Sequence, residues 1–575
     1  DDSGNITATG NAADVFLGGT AGGQSGDVVA NGGSVNITVS GVNADVFVGS
    51  NGTGSITADG NIIIDASNGD AVVVGSVNQG MLLSNNGNIS LTSQGRSNTG
   101  FHDLVVGRTA AAAGSSITAT NGSVSLIANG TNNIEVGLLG SGTVTGGGDV
   151  TINANNGPVS IGTSTVQGII RSTAGAIDID SGTTVSLGGA AGSIIDTTAA
   201  PGGASIDINA AGDVNLANNV TANTNLVITS GSGNSVNVDG PALVNLSGST
   251  VMVNTPDLNL GTSGNGVIVT ANTGDILVDS NAAGNTLNVD FLGANTQLVS
   301  TNGNVSFNTA LAPGQITVTG GPTNGTIAAD GGGAGFGTVS FNGGSNAVNV
   351  NVNEIRGCIG GSGNPFNVVV NNATLNGNTD TAGIGNITSA NDINFSYTGD
   401  IFICGPLNSS GGNISVTSGT GAGNAITQAS GATVNASGNV DYNTANLNLN
   451  STTVATGGVI NVQSNTTGNA LSINFLQPGN TSALTANSAS GGIRFNPTTA
   501  GDINIAGGPA NGLIDAGSNV VDYSGGTVSV NVNQIIGCNE ATDATQGTFS
   551  LTTQTGNLDL GDITASGAVT AIANG

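Results

Sequence analysis

The residues of this 575-residue chain best suited to chemistry are its three cysteines, Cys358, Cys404 and Cys538. Cys358 ends the motif Val350-Asn351-Val352-Asn353-Glu354-Ile355-Arg356-Gly357-Cys358. The motif returns 180 residues later as Val530-Asn531-Val532-Asn533-Gln534-Ile535-Ile536-Gly537-Cys538. Cys404 follows Cys358 by 46 residues, and its counterpart one unit later would fall past Gly575. One unit earlier the two positions read Ser172 and Ala217, so both thiols are missing together there and present together in the next unit. That pattern predicts a disulfide between Cys358 and Cys404, with Cys538 unpaired or bonded to another chain. An oxidising location permits it. The other reading is that all three are small buried thiols filling a core.

Few other residues are equipped for catalysis. His102, in Phe101-His102-Asp103, is the only histidine and cannot by itself make a zinc site, which wants several ligands. It reads as a loop residue. Asp178 and Asp180 share an outward face, and paired carboxylates can serve as acid and base when an apolar setting raises one pKa. With no lysine and only Arg96, Arg108, Arg171, Arg356 and Arg494 as strong bases, no groove collects acids and bases together, and the expectation is a chain that is not an enzyme. No cofactor is expected. Asp and Asn in turns are hard oxygen ligands, which leaves structural calcium as the metal to consider.

The composition describes the elements that must carry these residues. Gly contributes 98 residues and Asn 79, while glutamate occurs only at Glu135, Glu354 and Glu540. The residues that drive helices are scarce, whereas Val, Ile and Thr for strands and Gly, Asn and Asp for turns are abundant. Apolar residues make up 37% and alternate with polar ones, which argues against disorder. A net charge of −29 opposes binding to nucleic acid or to anionic membrane surfaces. No apolar run approaches the ~20 residues needed to span a bilayer.

Strand-sized segments such as Ser34–Val39, Asp149–Asn153, Ile177–Asp180 and Val348–Asn353 alternate with period two. Turns such as Asn86-Gly87, Asn121-Gly122, Asn156-Gly157 and Asn302-Gly303 separate them. Over residues 1–140 a beat of about 30 residues appears: Asp14-Val15-Phe16-Leu17-Gly18, Asp45-Val46-Phe47-Val48-Gly49, Ala71-Val72-Val73-Val74-Gly75, Asp103-Leu104-Val105-Val106-Gly107 and Ile134-Glu135-Val136-Gly137. One beat is one coil of a solenoid, or a coil and a half. A coil of this length cannot bury its own apolar face, but stacked coils can. The fold expected is all-β: a parallel β-helix (β-solenoid), right-handed, with tandem super-repeats of about 185 residues.

The super-repeat shows in further matches. Leu287–Phe291 returns as Leu471–Phe475, Gly320-Gly321-Pro322 as Gly507-Gly508-Pro509, Thr229-Ser230-Gly231 as Thr417-Ser418-Gly419, and Leu258-Asn259-Leu260 as Leu447-Asn448-Leu449. The expected divisions are 1–225, 226–412 and 413–575, the last cut short. The start at Asp1 reads as a processed product or a segment of something longer. The coils also set a condition on the disulfide. Bonded Cα atoms lie within ~7 Å, while two coil steps add ~9.6 Å, so the pair needs neighbouring coils or a bridging loop.

Gly148-Asp149-Val150-Thr151-Ile152, Gly212-Asp213-Val214-Asn215-Leu216 and Gly501-Asp502-Ile503-Asn504-Ile505, set among Asn-Gly and Ala-Gly turns, resemble the repeat region of filamentous-haemagglutinin-type bacterial adhesins. The resemblance runs through most of the chain and implies an exported β-helical fibre. The Asn-Pro-Asn motifs of that family's secretion domain are not in this sequence. The functional expectation is a structural component of an extracellular or cell-surface fibre or adhesin stalk. Its partners are expected to be copies of itself stacked end to end or further solenoid, with a host or cell-surface glycan or protein as a target. The alternatives are a carbohydrate-active β-helix, lyase or hydrolase like, and a receptor-binding or ice-binding face. Thr118-Ala119-Thr120 does not continue as the regular ladder that ice would require.

Overall fold

In a computed structural model the chain folds into short β-strands joined by tight turns, with no α-helix among the described residues. The structure describes residues 1–575 except 1–4, 11–12, 19–24, 95–103, 111–113, 132, 201–202, 262–263, 282–285, 309–313, 322, 331–336, 363–365, 376–377, 380, 466–469, 487, 498–500, 525, 542–547, 566 and 575. His102, Asp103 and Arg96 therefore lie outside the described residues. The chain divides into two compact units: residues 1–282 with 287–301, and residues 283–286 with 302–575.

In the first unit each coil has three strands, and each strand pairs in parallel with the strand three places later. Gly26–Ala30, Val35–Val39 and Val46–Val48 form one such coil. The next coil stacks on it with Gly26 opposite Gly54, Val35 opposite Ile62 and Val46 opposite Val72. The 30-residue beat is thus one coil, and the repeated apolar tripeptide is the short third strand: Val15–Leu17, Val46–Val48, Val72–Val74, Leu104–Val106 and Ile134–Val136.

The alternation of the sequence becomes the inside and outside of this unit. Val35, Ile62, Ile89, Val124, Val150, Ile177 and Ile206 follow one another in register up one wall, all essentially inaccessible to water. Each such side chain contributes about 1.5–3 kcal/mol when buried. No coil could collect that alone, because the burial is made against the coils above and below.

The second unit keeps the parallel stacking and fills it with larger groups. Phe307 and Phe341 stack with ring centres 4.9 Å apart, and Phe495 stacks on Tyr523 at 5.4 Å. Tyr442 is fully buried and keeps its hydroxyl satisfied on Thr453 Oγ1 at 2.8 Å. Several strands here are long enough to turn a corner. Thr381–Ser389 pairs through Thr381–Ile384 with Asp400–Ile403 and through Ile387–Ser389 with Leu407–Ser409. A short antiparallel pairing, Thr374 with Thr379, departs from the parallel rule.

The sequence matches correspond to matching local structure. Ser230 Oγ donates to Thr255 Oγ1 at 2.8 Å, and Ser418 Oγ donates to Thr444 Oγ1 at 2.8 Å. Asn281 Nδ2 reaches Ser230 O and Asn254 O, while Asn465 Nδ2 reaches Ser418 O and Asn443 O. Gly321 and Gly508 share a φ of 65°.

Candidate functional site

The two cysteine corners lie in the second unit and are built alike. Gly357 and Gly537, which precede the cysteines, adopt φ of 118° and 133°. A methyl group on Gly357 would stand 2.7 Å from Gly337 O, and one on Gly537 would stand 2.8 Å from Asn519 O. Only glycine suits both the dihedral and the space. The repeated Gly-Cys pair is therefore a turn residue followed by the residue that the turn aims.

Cys358 and Cys404 are joined by a disulfide with Cα atoms 6.6 Å apart. Cys358 is in register with Gly383, Ile384 is in register with Ile403, and Cys404 N donates to Ile384 O at 2.8 Å. The bond therefore joins the first and third of three stacked coils. The sequence condition of neighbouring coils or a bridging loop is met differently. The pairing of Cys358–Ser362 with Thr381–Ser389 shifts register after Ile359, and Asn386 sits at a φ of 55°. A methyl on Gly360 would lie 2.7 Å from Gly385 O, and one on Gly385 would collide with Gly405 N. This column of glycines packs the coils closely, and the bulge shortens the path between the sulfurs.

Cys538 carries a free thiol and is half-buried. It pairs with Asp559, and the ladder shifts register after Asn539, as it does beside Cys358. Burial first, then the charges of Glu540, Asp559 and Asp562, push its thiol pKa up. It is the opposite of an activated nucleophile, which needs a stabilised thiolate.

The aspartate pair noted in the sequence lies in the first unit. Asp178 is in register with Asp207 and Asp180 with Asn209, whose Nδ2 donates to Asp180 Oδ1 at 3.3 Å. Burial and the neighbouring carboxylates raise the pKa values of Asp178 and Asp207. Beside them an open cleft of about 300 Å³ is lined by Asn153, Asn155, Asp180, Ser181, Asn209 and small residues. Arg171 is engaged elsewhere, its Nε 3.2 Å from Asp196 Oδ2. Asp207 escaped the sequence reading, although Ile177-Asp178-Ile179-Asp180 and Ile206-Asp207-Ile208-Asn209 are near copies. The signal was present, but linking them needs the length of the coil between.

Among the described residues, no group of three or more His, Cys, Asp and Glu is placed to hold a metal ion. No described helix is long and apolar enough to cross a membrane. Outward Asn side chains are spent on one another: Asn367 Nδ2 donates to Asn349 Oδ1 and Asn394 Nδ2 to Asn367 Oδ1, both at 3.0 Å. These features define a parallel β-solenoid with a stapled corner. No protein-family model, no curated protein and no solved structure matches the chain.

Proposed function

We propose that this chain is a structural component of an extracellular or cell-surface fibre or adhesin stalk. The observation that carries the reading is the stacking itself: each unit buries a ladder of aliphatic or aromatic residues while its outward amides bond to one another. Such a surface spans distance and resists unravelling without converging on a reactive centre. The disulfide and the absence of lysine suit an oxidising, protease-rich exterior. Resemblance to haemagglutinin-type repeats at Gly148–Ile152, Gly212–Leu216 and Gly501–Ile505 points the same way.

Stacking also supplies a means of growth, since coils that pair edge to edge in parallel can associate head to tail between copies. Negative-stain microscopy tests the reading. Fibres roughly 20–50 Å wide, as expected for strand layers ~10 Å apart plus side chains, support it; isolated globules at all concentrations overturn it.

A carbohydrate-active solenoid is the second reading, favoured by the cleft beside Asp180 and the raised pKa values of Asp178 and Asp207. Release of reducing ends from polysaccharides by the native chain, abolished by Asp180→Asn, is the result that reading requires.

A further inference from the structure

The coil bridged by Cys358–Cys404 is one whose own ladder is broken. Strand Thr381–Ser389 loses register with Cys358–Ser362 between Ile359 and Gly361, and it bends at Asn386 in the left-handed region. Its positions at this corner are Gly383 and Gly385, which bring no side chain to pack. Ala382, Ile384 and Ile387 stay buried on either side, so what sets this coil apart is the interruption of its ladder at the bulge, and a stretch with interrupted hydrogen bonding opens at lower cost than an unbroken one. One unit earlier Ser172 stands where this unit has Cys358, and Gly168–Ser172 pairs with the coil before it in unbroken register, as Cys358–Ser362 does with Thr338–Asn342. There Ser172 Oγ donates to Gly148 O at 2.7 Å.

We propose that the Cys358–Cys404 disulfide is an axial clasp. It pins coils one and three across the bulged middle coil, so that Thr381–Ser389 cannot part from its neighbours while the bond is intact. The loop it closes spans 46 residues and contains that coil. Extended, such a segment would reach about 160 Å; clasped, its ends stay 6.6 Å apart. Reduction removes the restraint. A dithiol reductant gives two electrons and two protons to the bond, leaving two thiols here and one disulfide in the reductant. The corner then becomes a redox-sensitive point of opening in the second unit. The clasp depends only on the geometry of this unit and stands whether or not the chain forms fibres.

Hydrogen exchange read by mass spectrometry on the full chain tests it. Three forms are compared: the oxidised chain, the folded chain reduced by a dithiol, and Cys358→Ser/Cys404→Ser. Amides of residues 381–403 should exchange at least tenfold faster in the reduced chain and in the variant. Amides of Ile206–Ala210 in the first unit should be unchanged. Equal exchange over 381–403 in the oxidised and fully reduced chains overturns the clasp, even if the variant fails to fold. Faster exchange spread evenly over the whole chain overturns it too, since the bond would then act on global rather than local stability.

Discussion

Asn237 Nδ2 donates to Asn215 Oδ1 at 2.9 Å, from one coil to the coil beneath it. Asn259 Nδ2 repeats the bond onto Asn237 Oδ1 at 2.8 Å, so the middle amide both gives and receives. The three residues occupy matching places on Val214–Leu216, Ser235–Val238 and Asp257–Leu260. A primary amide can donate and accept at once along a stack, which accounts for the tolerance for 79 asparagines.

Asn237→Ala removes both bonds of the middle rung. Each is worth about 0.5–1.5 kcal/mol net, so exchange of amides in Ser235–Val238 should quicken by roughly five- to a hundred-fold. Asn237→Asp should be worse at neutral pH, because its carboxylate faces the Asn215 oxygen, and should recover in acid as the carboxyl regains a donor. Unchanged exchange in both variants would show the ladder to be decorative.

Much of this fold could be read from residues alone. Period-two alternation in Val35–Val39 and Ile177–Ser181 marks inside and outside directly, and it reappears as alternating burial. The three-strand coil was less legible, since Val46–Val48 and Val72–Val74 are buried at every position and carry no period. The linked absence of Cys358 and Cys404 from the earlier unit suggested their pairing, but its route could not be read. The bulge at Gly385–Asn386 leaves only a glycine and an asparagine as its trace, in a chain with 98 of one and 79 of the other.

Asp178 and Asp207 should make the first unit more stable in mild acid than at neutral pH. Burial first, and Asp180 next, raise both pKa values, so the folded chain holds protons that the unfolded chain, with Asp near ~3.9, releases. Stability from these groups therefore falls as pH rises from ~3.9 through the raised folded values. Asp178→Asn should raise the melting temperature at pH 7, and the gain should vanish below about pH 3, where the native carboxyls are protonated in both states. A variant less stable than the parent at pH 7 would contradict the assigned cause.

Cys538 should react slowly with iodoacetamide at pH 7. Its thiol is raised by burial and by Glu540, Asp559 and Asp562, so little thiolate exists there. Sγ lies 3.9 Å from Glu540 Oε1. Glu540→Gln should accelerate alkylation and move the rate-against-pH curve to lower pH, without altering the yield of the Cys358–Cys404 bond. An unshifted curve would leave burial and the charges of Asp559 and Asp562 as the causes.

Gly107 closes one beat of the first unit at a φ of 80°, and its counterparts Gly49, Gly75 and Gly137 lie at 75°, 84° and 81°. A methyl group there would stand 2.7 Å from Ser141 O and closer still to Gly140 O, backbone atoms of the next coil that cannot rotate away. The left-handed dihedral alone costs a non-glycine residue about 1–2 kcal/mol, and the clash adds coil separation. Gly107→Ala should therefore lower the melting temperature clearly, with faster exchange centred on Leu104–Val106 and Gly142–Gly146. Gly423→Ala is the control, since nothing lies within 4 Å of a methyl at that position; a surface change of this kind should stay within about 0.5 kcal/mol. Equal melting of the two variants would mean that the glycine of each beat is not what sets the coil's third corner.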